Sequence, residues 1–253
     1  MKKITRLYKK IVFNLKSKIN VDKISNSFNS LDEIFNYFGT DKGTNVKNQY
    51  DNNSDLIIGH GFAKYYEKHL KKFQNKYFDL LEIGTWKGAS SAAFAIYFPH
   101  ANIYGIDRNF KFSYKSKRIN FIHCDLTVEK EFQNLQKSLE NKKFKIIIDD
   151  GSHILTHIIK NLKFFFRKVE SNCYFVIEDF NAPKDQIHLN DGKGEELFID
   201  EMLNKLKNKK YFKSNILKKE DQDYLFDNID DIFIYEGNQK PPLSSNIVFL
   251  KKK

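Results

Sequence analysis

The sequence predicts an α/β fold: a mostly parallel seven-stranded sheet with helices on both faces and an antiparallel hairpin near the C-terminal end. Short runs rich in Ile, Val and Phe alternate with helical stretches from residue 76 onward, which is typical of parallel strands joined by crossover helices. The last two runs are separated by about nine residues that include Pro241 and Pro242. Because so short a connection cannot hold a crossover helix, these two runs are expected to pair antiparallel.

The first 75 residues are expected to form a helical extension, part of which folds as a lid over a ligand-binding domain at 76–253. Residues 1–20 place apolar side chains three and four positions apart between lysines, which predicts a basic amphipathic helix. Ser30 and Glu33 match a capping box that begins a second helix, and Gly39 ends it. A third helix is expected within 60–72.

The predicted strands of the sheet are short runs of β-forming residues, most of which end in an acid or a turn. The five parallel strands are expected at 77–83, 102–107, 119–124, 144–149 and 173–178, and the hairpin strands at 232–236 and 246–250. Helices are expected at 88–97, 129–141, 154–168 and 195–207. The carboxyl ends of parallel strands share one edge, and ligands of such sheets bind there.

The positive charge is concentrated at the two ends of the chain. The net charge is +11, and ten of these charges come from seven basic residues within 1–20 and three lysines at 251–253. The rest is close to neutral, which argues against binding nucleic acid through a basic surface. The chain lacks an apolar run of roughly 18 residues and a secretory-signal pattern, and its two cysteines suit a reducing compartment. A cytoplasmic protein is expected.

The basic helix at 1–20 has two interpretations. The favoured one is that its apolar face packs on the protein's own body or on a second copy, while the lysines stay in solvent. The alternative is that it docks on an anionic membrane or on a partner helix, which would place the protein at the inner membrane face. A homo-oligomer is expected.

The first predicted parallel strand leads into a glycine turn that opens a helix. Glu82 is followed by Gly84, Thr85 and Gly88, so a ligand can approach the backbone and the first N–H groups of the helix. Asp107 ends the next strand, where a carboxylate can accept hydrogen bonds from two ribose hydroxyls. Since the middle glycine of a dinucleotide fingerprint is missing, the turn favours a ligand without phosphates. S-adenosylmethionine is such a ligand.

With these residues the sequence resembles the class I S-adenosylmethionine-dependent methyltransferases, whose first motif ends in E-x-G-x-x-x-G. Glu82, Gly84 and Gly88 match that motif. The resemblance implies a Rossmann-like fold whose seventh strand is inserted antiparallel to the others. It also implies that Asp125 lies near the adenine, although it follows a cysteine where related enzymes have glycine. Asp149 is included among the expected cofactor-binding residues.

Other stretches are similar to the branch that contains macrolide-sugar O-methyltransferases of the mycinamicin type. They are F-G-T-D-K-G at 38–43, the segment 60–67, Y-F-P at 97–99, I-I-D-D-G-S-H at 147–153 and V-I-E-D at 176–179. In that branch three acids hold a divalent metal, and a histidine serves as the base. The resemblance implies that Asp150, Glu178 and Asp179 bind the metal, expected to be Mg²⁺, and that His153 and Asp150 form the catalytic centre.

The acids at the strand ends also point to a metal without the resemblance. Asp149 and Asp150 follow one strand and Glu178 and Asp179 the next, and neighbouring strands lie about 4.8 Å apart. Four carboxylates that crowd one edge need a cation or shared protons, and an all-oxygen set favours Mg²⁺, Mn²⁺ or Ca²⁺. The alternative is that one acid of each pair caps a helix or binds the cofactor, without a metal.

His153 is the histidine best placed to take a proton from an acceptor hydroxyl, because it follows Asp150 by three residues in a glycine-containing turn. His69 and His100 are expected at the surface. His60 is ambiguous, since it lies in the segment expected to act as a lid.

The predicted activity is metal-assisted O-methylation of a sugar or another small hydroxyl compound, including nucleotide- or phosphate-linked ones. The bias toward Lys, Asn, Ile and Phe is typical of AT-rich bacterial genomes, in which such enzymes modify capsule and other surface glycans. The alternatives are methylation of an amine or a phosphorus-linked group without a metal, or of nucleic acid. D-D-G-S at 149–152, where amine methylases carry N/D-P-P-Y, and the neutral body both argue against nucleic acid.

Overall fold

A computed structural model of the protein describes residues 2–25, 27–47, 56–192, 194–240 and 244–253. Its strands, in chain order, are β1 (Ile19–Asn20), β2 (Asn45–Lys47), β3 (Leu56–Ile58), β4 (Phe78–Ile83), β5 (Ala101–Asp107), β6 (Tyr114–Lys115), β7 (Ile119–His123), β8 (Phe144–Asp149), β9 (Val169–Glu178), β10 (Ile229–Glu236) and β11 (Asn246–Lys252). Its helices are α1 (Lys2–Leu15), α2 (Leu31–Phe38), α3 (Ala63–Leu70), α4 (Ala89–Tyr97), α5 (Glu129–Ser138), α6 (Leu155–Phe165), α7 (Ala182–Asp185), α8 (Ile199–Lys207) and α9 (Lys219–Asn228). Pro241 and Pro242 lie outside the described residues.

The central sheet has the strand order β10-β11-β9-β8-β4-β5-β7. Neighbouring strands among β9, β8, β4, β5 and β7 are parallel, whereas β11 runs antiparallel to both β9 and β10. The predicted parallel sheet with an antiparallel C-terminal hairpin is therefore confirmed. Ile83 at the end of β4 is in register with Asp149 of β8 and with Ile106 of β5, so the carboxyl ends of these strands are level.

Several parts of the structure, including the short helix α7, were not predicted, and two of them are larger. One is α9, which is mostly polar and contributes only a few buried side chains such as Leu225 and Phe226, so its periodicity is weak. The other is the pair of short two-stranded sheets, β1 with β6 and β2 with β3. The caps of α2 are confirmed at Ser30, whose Oγ accepts a hydrogen bond from the Glu33 N–H at 3.2 Å, and at Gly39, which has φ 70°. The Glu33 carboxylate accepts from the Asn29 N–H at 2.9 Å, one residue earlier than in a capping box.

The segment containing α2 and α3 shares the core with the sheet. The rings of Phe35 and Tyr66 both pack edge-on against Phe94 of α4, at centroid distances of 5.4 and 5.3 Å. Tyr65 stacks on Tyr235 of β10 at 4.3 Å. A division of the chain at residue 75 stays a prediction. None of the described helices is long and apolar enough to cross a bilayer.

The expectation that His69 lies at the surface was wrong. Its side chain is 7% exposed, its Nε2 lies 2.8 Å from the Tyr235 hydroxyl, and its ring stacks on Phe249. Burial, with a smaller effect of Lys68 and Lys72, lowers the pKa of His69 to about 4. The sequence of α3 alone does not reveal that His69 is buried, because its burial depends on the packing of α3 against β10 and β11.

His69 is expected to make the protein less stable in mild acid. Its pKa lies near 6.5 in the unfolded chain and near 4 in the folded one, so between these values the unfolded state binds more protons. Lowering the pH from about 7.5 to about 5 should therefore reduce its contribution to the free energy of unfolding by about 2 kcal/mol. Urea unfolding at both pH values should show a smaller loss for His69→Gln than for the parent protein. The exposed His100→Gln variant is the control, and an unchanged loss in His69→Gln would contradict the prediction.

Candidate functional site

A cavity of about 540 Å³ opens at the carboxyl edge of the parallel strands. The turns after β4, β5, β7 and β8 line it, together with residues 40 and 41 from the loop after α2. Six of the predicted site residues contribute to this lining: Gly84, Thr85, Asp107, Asp125, Asp150 and His153. The other five surround it in the adjoining structure: Glu82, Gly88, Asp149, Glu178 and Asp179.

The glycine turn after β4 packs directly against the residues that follow β8. Gly84 has φ 87°, and a Cβ at this position would lie 2.0 Å from the carbonyl oxygen of Asp150. The N–H of Asp150 donates to the carbonyl of Ile83 at 3.0 Å. A side chain at position 84 would therefore separate the turn from the strand end that carries Asp150.

Glu82 supports this turn from beneath. Its side chain is fully buried and accepts a hydrogen bond of 2.5 Å from the Ser91 hydroxyl, which lies 2.6 Å from the hydroxyl of Thr85. Gly88, with φ 86°, precedes the first residue of α4. Glu82 thus fixes Thr85 and the first turn of α4 in place.

Asp107 and Asp125 present carboxylates to the cavity. Asp107 accepts hydrogen bonds from the backbone N–H groups of Trp86 at 2.8 Å and Asn109 at 2.6 Å. Asp125 accepts from the N–H and the hydroxyl of Thr127 at 3.0 and 2.7 Å. A carboxylate has about four lone-pair sites, so both side chains keep acceptor capacity for a ligand.

Asp149 lies behind the cavity at the end of β8. It is 2% exposed, and the side-chain amide of Asn161 donates to both of its oxygens at 3.1 Å. Burial raises the pKa of Asp149 to about 7. Because Asn161 lines the cavity, Asp149 positions a residue that a ligand can touch.

Three predicted side chains converge beside the glycine turn. Asp150, His153 and Asp179 each offer one ligand atom, and these atoms all lie within 4.8 Å of one another. His153 Nε2 lies 3.6 Å from a carboxylate oxygen of Asp150. His153 and Asp179 both have positive φ values, 54° and 47°. This uncommon backbone conformation is typical of functional loops and directs both side chains toward Asp150.

A buried lysine that was not predicted as a site residue lies at the centre of the acids. Lys42 is 1% exposed, and its Nζ lies 2.5 Å from Asp150 and 2.7 Å from Glu178. The hydroxyl of Tyr66 donates to the other oxygen of Glu178. Burial alone would lower the pKa of Lys42, but Asp150 and Glu178 outweigh it and raise that pKa well above its usual range. Lys42 and Tyr66 thus hold both carboxylate oxygens of Glu178, whose metal-binding role stays a prediction.

The backbone around Lys42 is fixed by the residues that precede α3. The N–H of His60 donates to the carbonyl of Asp41 at 2.6 Å, and the N–H of Phe62 donates to the carbonyl of Lys42 at 2.9 Å. Gly61 donates to Gly43 at 2.9 Å. These bonds place the ammonium group of Lys42 between the ends of β8 and β9.

The remaining groups fit a divalent cation. His60 Nδ1 is buried 3.2 Å from Asp179 but has no aligned hydrogen-bond partner among the described residues. Burial lowers the pKa of His60, which favours the neutral ring that a metal requires. Burial, and then Asp150 and Asp41, raise the pKa of Asp179 well above its usual range. The charge of Lys42 alone therefore does not compensate the carboxylates that crowd this site. A cation bound beside Asp150 and Asp179 would compensate them.

Two known O-methyltransferases match part of this sequence. The chain is 31% identical over 127 residues to mycinamicin VI 2''-O-methyltransferase of Micromonospora griseorubida and 30% identical over 127 residues to demethylmacrocin O-methyltransferase of Streptomyces fradiae. About half of this chain is therefore similar in sequence to O-methyltransferases of the mycinamicin type. Each match covers 47% of this chain and about a third of the relative, so the chain spans a minor part of those proteins. No profile of a known protein family matches the sequence.

Solved structures of a relative establish the fold. The structure of MycE methyltransferase in complex with Mg and SAH has a TM-score of 0.65 at 23% identity, over 88% of this chain and 54% of that one. The complex that also contains mycinamycin VI has the same TM-score at 22% identity, over 90% and 56%. The predicted Rossmann-like methyltransferase fold is therefore confirmed.

Proposed function

We propose that the protein is an S-adenosylmethionine-dependent methyltransferase that methylates a hydroxyl group of a sugar or another small molecule. The observation that carries the proposal is that one and the same cavity is lined by the glycine turn and by Asp150 and His153. A methyl donor on the turn and an acceptor at the cluster would share this space. Named relatives that methylate sugar hydroxyls of macrolides and tetracenomycins support the same reaction.

The turn after β4 suits the methyl donor. Gly84 and Thr85 allow its close approach, and the N-terminus of α4 suits its amino-acid carboxylate. Asp107, whose carboxylate is oriented by two backbone N–H groups, is proposed to accept hydrogen bonds from the ribose hydroxyls. Asp125 is proposed to lie near the adenine.

The acid cluster suits Mg²⁺. Asp150 and Asp179 would hold the ion, with the imidazoles of His153 and His60 at its side, while Lys42 keeps Glu178 in place. When bound, Mg²⁺ would lower the pKa of a hydroxyl group that it contacts. His153 is proposed to accept the proton of that hydroxyl, since its ring lines the cavity beside Asp150.

The biological setting is proposed from composition and charge. The protein is proposed to work in the cytoplasm of a bacterium, in the synthesis of a capsule, another surface glycan or a secondary metabolite. The near-neutral body supports a small-molecule substrate over nucleic acid. A homo-oligomer stays a prediction.

Purified protein with S-adenosylmethionine and a panel of sugars, nucleotide-linked sugars and phosphorylated small molecules is expected to release S-adenosylhomocysteine with at least one acceptor. EDTA should abolish the release, because the acceptor hydroxyl is too weakly acidic to react unaided. The release is measured by mass spectrometry, which also locates the added methyl group.

Asp107→Ala tests the cofactor site separately, because it removes the carboxylate that is proposed to accept hydrogen bonds from the ribose. Calorimetry should show at least about tenfold weaker binding of S-adenosylhomocysteine, since buried ribose hydroxyls lose their partner. Activity that survives EDTA would favour an amine or phosphorus-linked acceptor without a metal. Unchanged cofactor affinity of Asp107→Ala would refute the proposed cofactor site.

A further inference from the structure

Among the side chains of α1 that the structure describes, at 8–15, the buried one lies on one side of the helix. Phe13 is buried and packs against Phe110 and Phe121 at centroid distances of 5.5 and 5.3 Å. Beyond the helix, Ile19 and Asn20 pair with β6, and Asp22 accepts hydrogen bonds from the Ser116 hydroxyl and the Lys117 N–H. These contacts fix the orientation of α1 on the loop after β5.

The opposite side of α1 is apolar and exposed. We call Tyr8, Ile11, Val12 and Leu15 the α1 stripe; their side chains are between 46% and 81% exposed. At about 100° per residue these four lie within roughly a third of the helix circumference, and Phe13 lies on the far side. Ile19, just beyond the helix, is also exposed. The part of the favoured interpretation in which this face packs on the protein's own body does not hold for these described side chains, and packing on a second copy stays a prediction.

The positive charges around the α1 stripe favour an anionic surface as its binding partner. Residues 1–20 contain seven lysine and arginine residues and no acid. Lys9 and Lys16 are exposed beside the stripe, and Lys10 is exposed on the flank of the helix nearer to Phe13. Two copies that paired stripe against stripe would bring these positive charges together, which is unfavourable. An anionic lipid surface complements the same charges and receives the apolar side chains between its headgroups.

We propose that α1 docks this protein on the surface of a membrane that contains anionic lipids. The helix lies in the plane of the interface with the α1 stripe toward the acyl chains. Because Phe13 packs on Phe110, and the neighbouring Arg108 and Asn109 line the cavity, docking brings a wall of the cavity close to the lipid surface. The proposal is independent of the methyltransferase proposal, since none of the α1 side chains that the structure describes lines the cavity.

The test is co-sedimentation of the full chain with vesicles of phosphatidylcholine, either alone or mixed with about one quarter phosphatidylglycerol. The protein is expected to bind the anionic vesicles at least about tenfold more strongly than the neutral ones, and less strongly at high salt. Ile11→Ser/Leu15→Ser and Lys9→Glu/Lys10→Glu/Lys16→Glu should each lose at least about tenfold in binding. Folding is checked by circular dichroism, and these exposed positions should not affect it.

Matched controls change the same chemistry elsewhere on the surface. Tyr77→Ser/Ile187→Ser removes two apolar side chains that are 80% and 88% exposed, and Lys130→Glu/Lys137→Glu/Lys207→Glu reverses three exposed lysines. Both controls should bind like the parent protein. Equal losses in the controls, or no binding of the parent to anionic vesicles, would overturn the proposal. A dimer in light scattering that Ile11→Ser/Leu15→Ser converts to monomers would show that a second copy covers the stripe.

Discussion

Replacing Lys42 by methionine is expected to lower the free energy of unfolding by about 3–5 kcal/mol, because removing one partner of a buried ion pair leaves its counter-charges uncompensated. Lys42 is 1% exposed and lies within 2.7 Å of both Asp150 and Glu178. Methionine fills a similar volume without a charge, so the loss reports the electrostatic role and not a cavity. Urea unfolding in EDTA measures it, and Lys137→Met on the exposed side of α5 is the control.

Two further measurements separate charge compensation from packing. In Lys42→Met/Glu178→Gln the unpaired carboxylate is also removed, so a part of the lost stability should return. Millimolar Mg²⁺ should stabilise Lys42→Met more than the parent protein, since a divalent cation can offset the carboxylates that Lys42 no longer pairs. A loss below about 1 kcal/mol, without a larger effect of Mg²⁺, would show that the acids do not depend on Lys42.

The sheet and the convergence of its acids could be predicted because they follow from local patterns. Buried parallel strands appear as short apolar runs, and Asp107, Asp149 and Glu178 mark the carboxyl ends of three of them. Since such ends share one edge, the meeting of Asp150, His153 and Asp179 follows from the strand order. The glycine turn was predictable for the same reason, because glycine at a strand-to-helix turn has a specific conformational use.

The inner part of the site could not be predicted because it depends on contacts between distant segments. Lys42 is 108 residues from Asp150 and 136 from Glu178 along the chain. A fully buried lysine is rare, and its hydrophilic loop is typical of a surface turn. The F-G-T-D-K-G stretch was noted for its resemblance, but that resemblance assigned no role to its lysine. Likewise, the apolar spacing of residues 1–20 predicts a helix face without revealing that Phe13 is the buried residue among the described side chains at 8–15.

The geometry of the cluster gives His153 two roles that make different predictions. It lies close enough to Asp150 and Asp179 to be a third metal ligand, and it lines the cavity where a base would meet an acceptor. The base interpretation follows the family resemblance, and the close approach of its Nε2 to Asp150 fits either role. Only the response to metal concentration separates them.

With an acceptor identified by the proposed screen, His153→Ala is expected to lower kcat by about 10²- to 10⁴-fold, since general-base catalysis contributes on that order. Its affinity for S-adenosylhomocysteine should be unchanged, because the glycine turn and Asp107 are intact. Extra Mg²⁺ should not restore the rate. Asp150→Asn should instead require a higher Mg²⁺ concentration for half-maximal activity and recover partly at saturation, because a neutral amide oxygen remains a weak ligand.

The exposed His100→Ala is the matched control and should retain the parent kcat, since His100 packs against Tyr77 at the opposite end of the strands. If His153→Ala raises the Mg²⁺ requirement and recovers at high Mg²⁺, His153 is a metal ligand, and the base lies elsewhere, with His60 beside Asp179 the next residue to test. If neither His153→Ala nor Asp150→Asn slows the reaction, the cluster is structural. In that case the carboxylates of Asp150 and Glu178 serve to anchor Lys42 and its loop, and the Lys42→Met measurement alone would report their function.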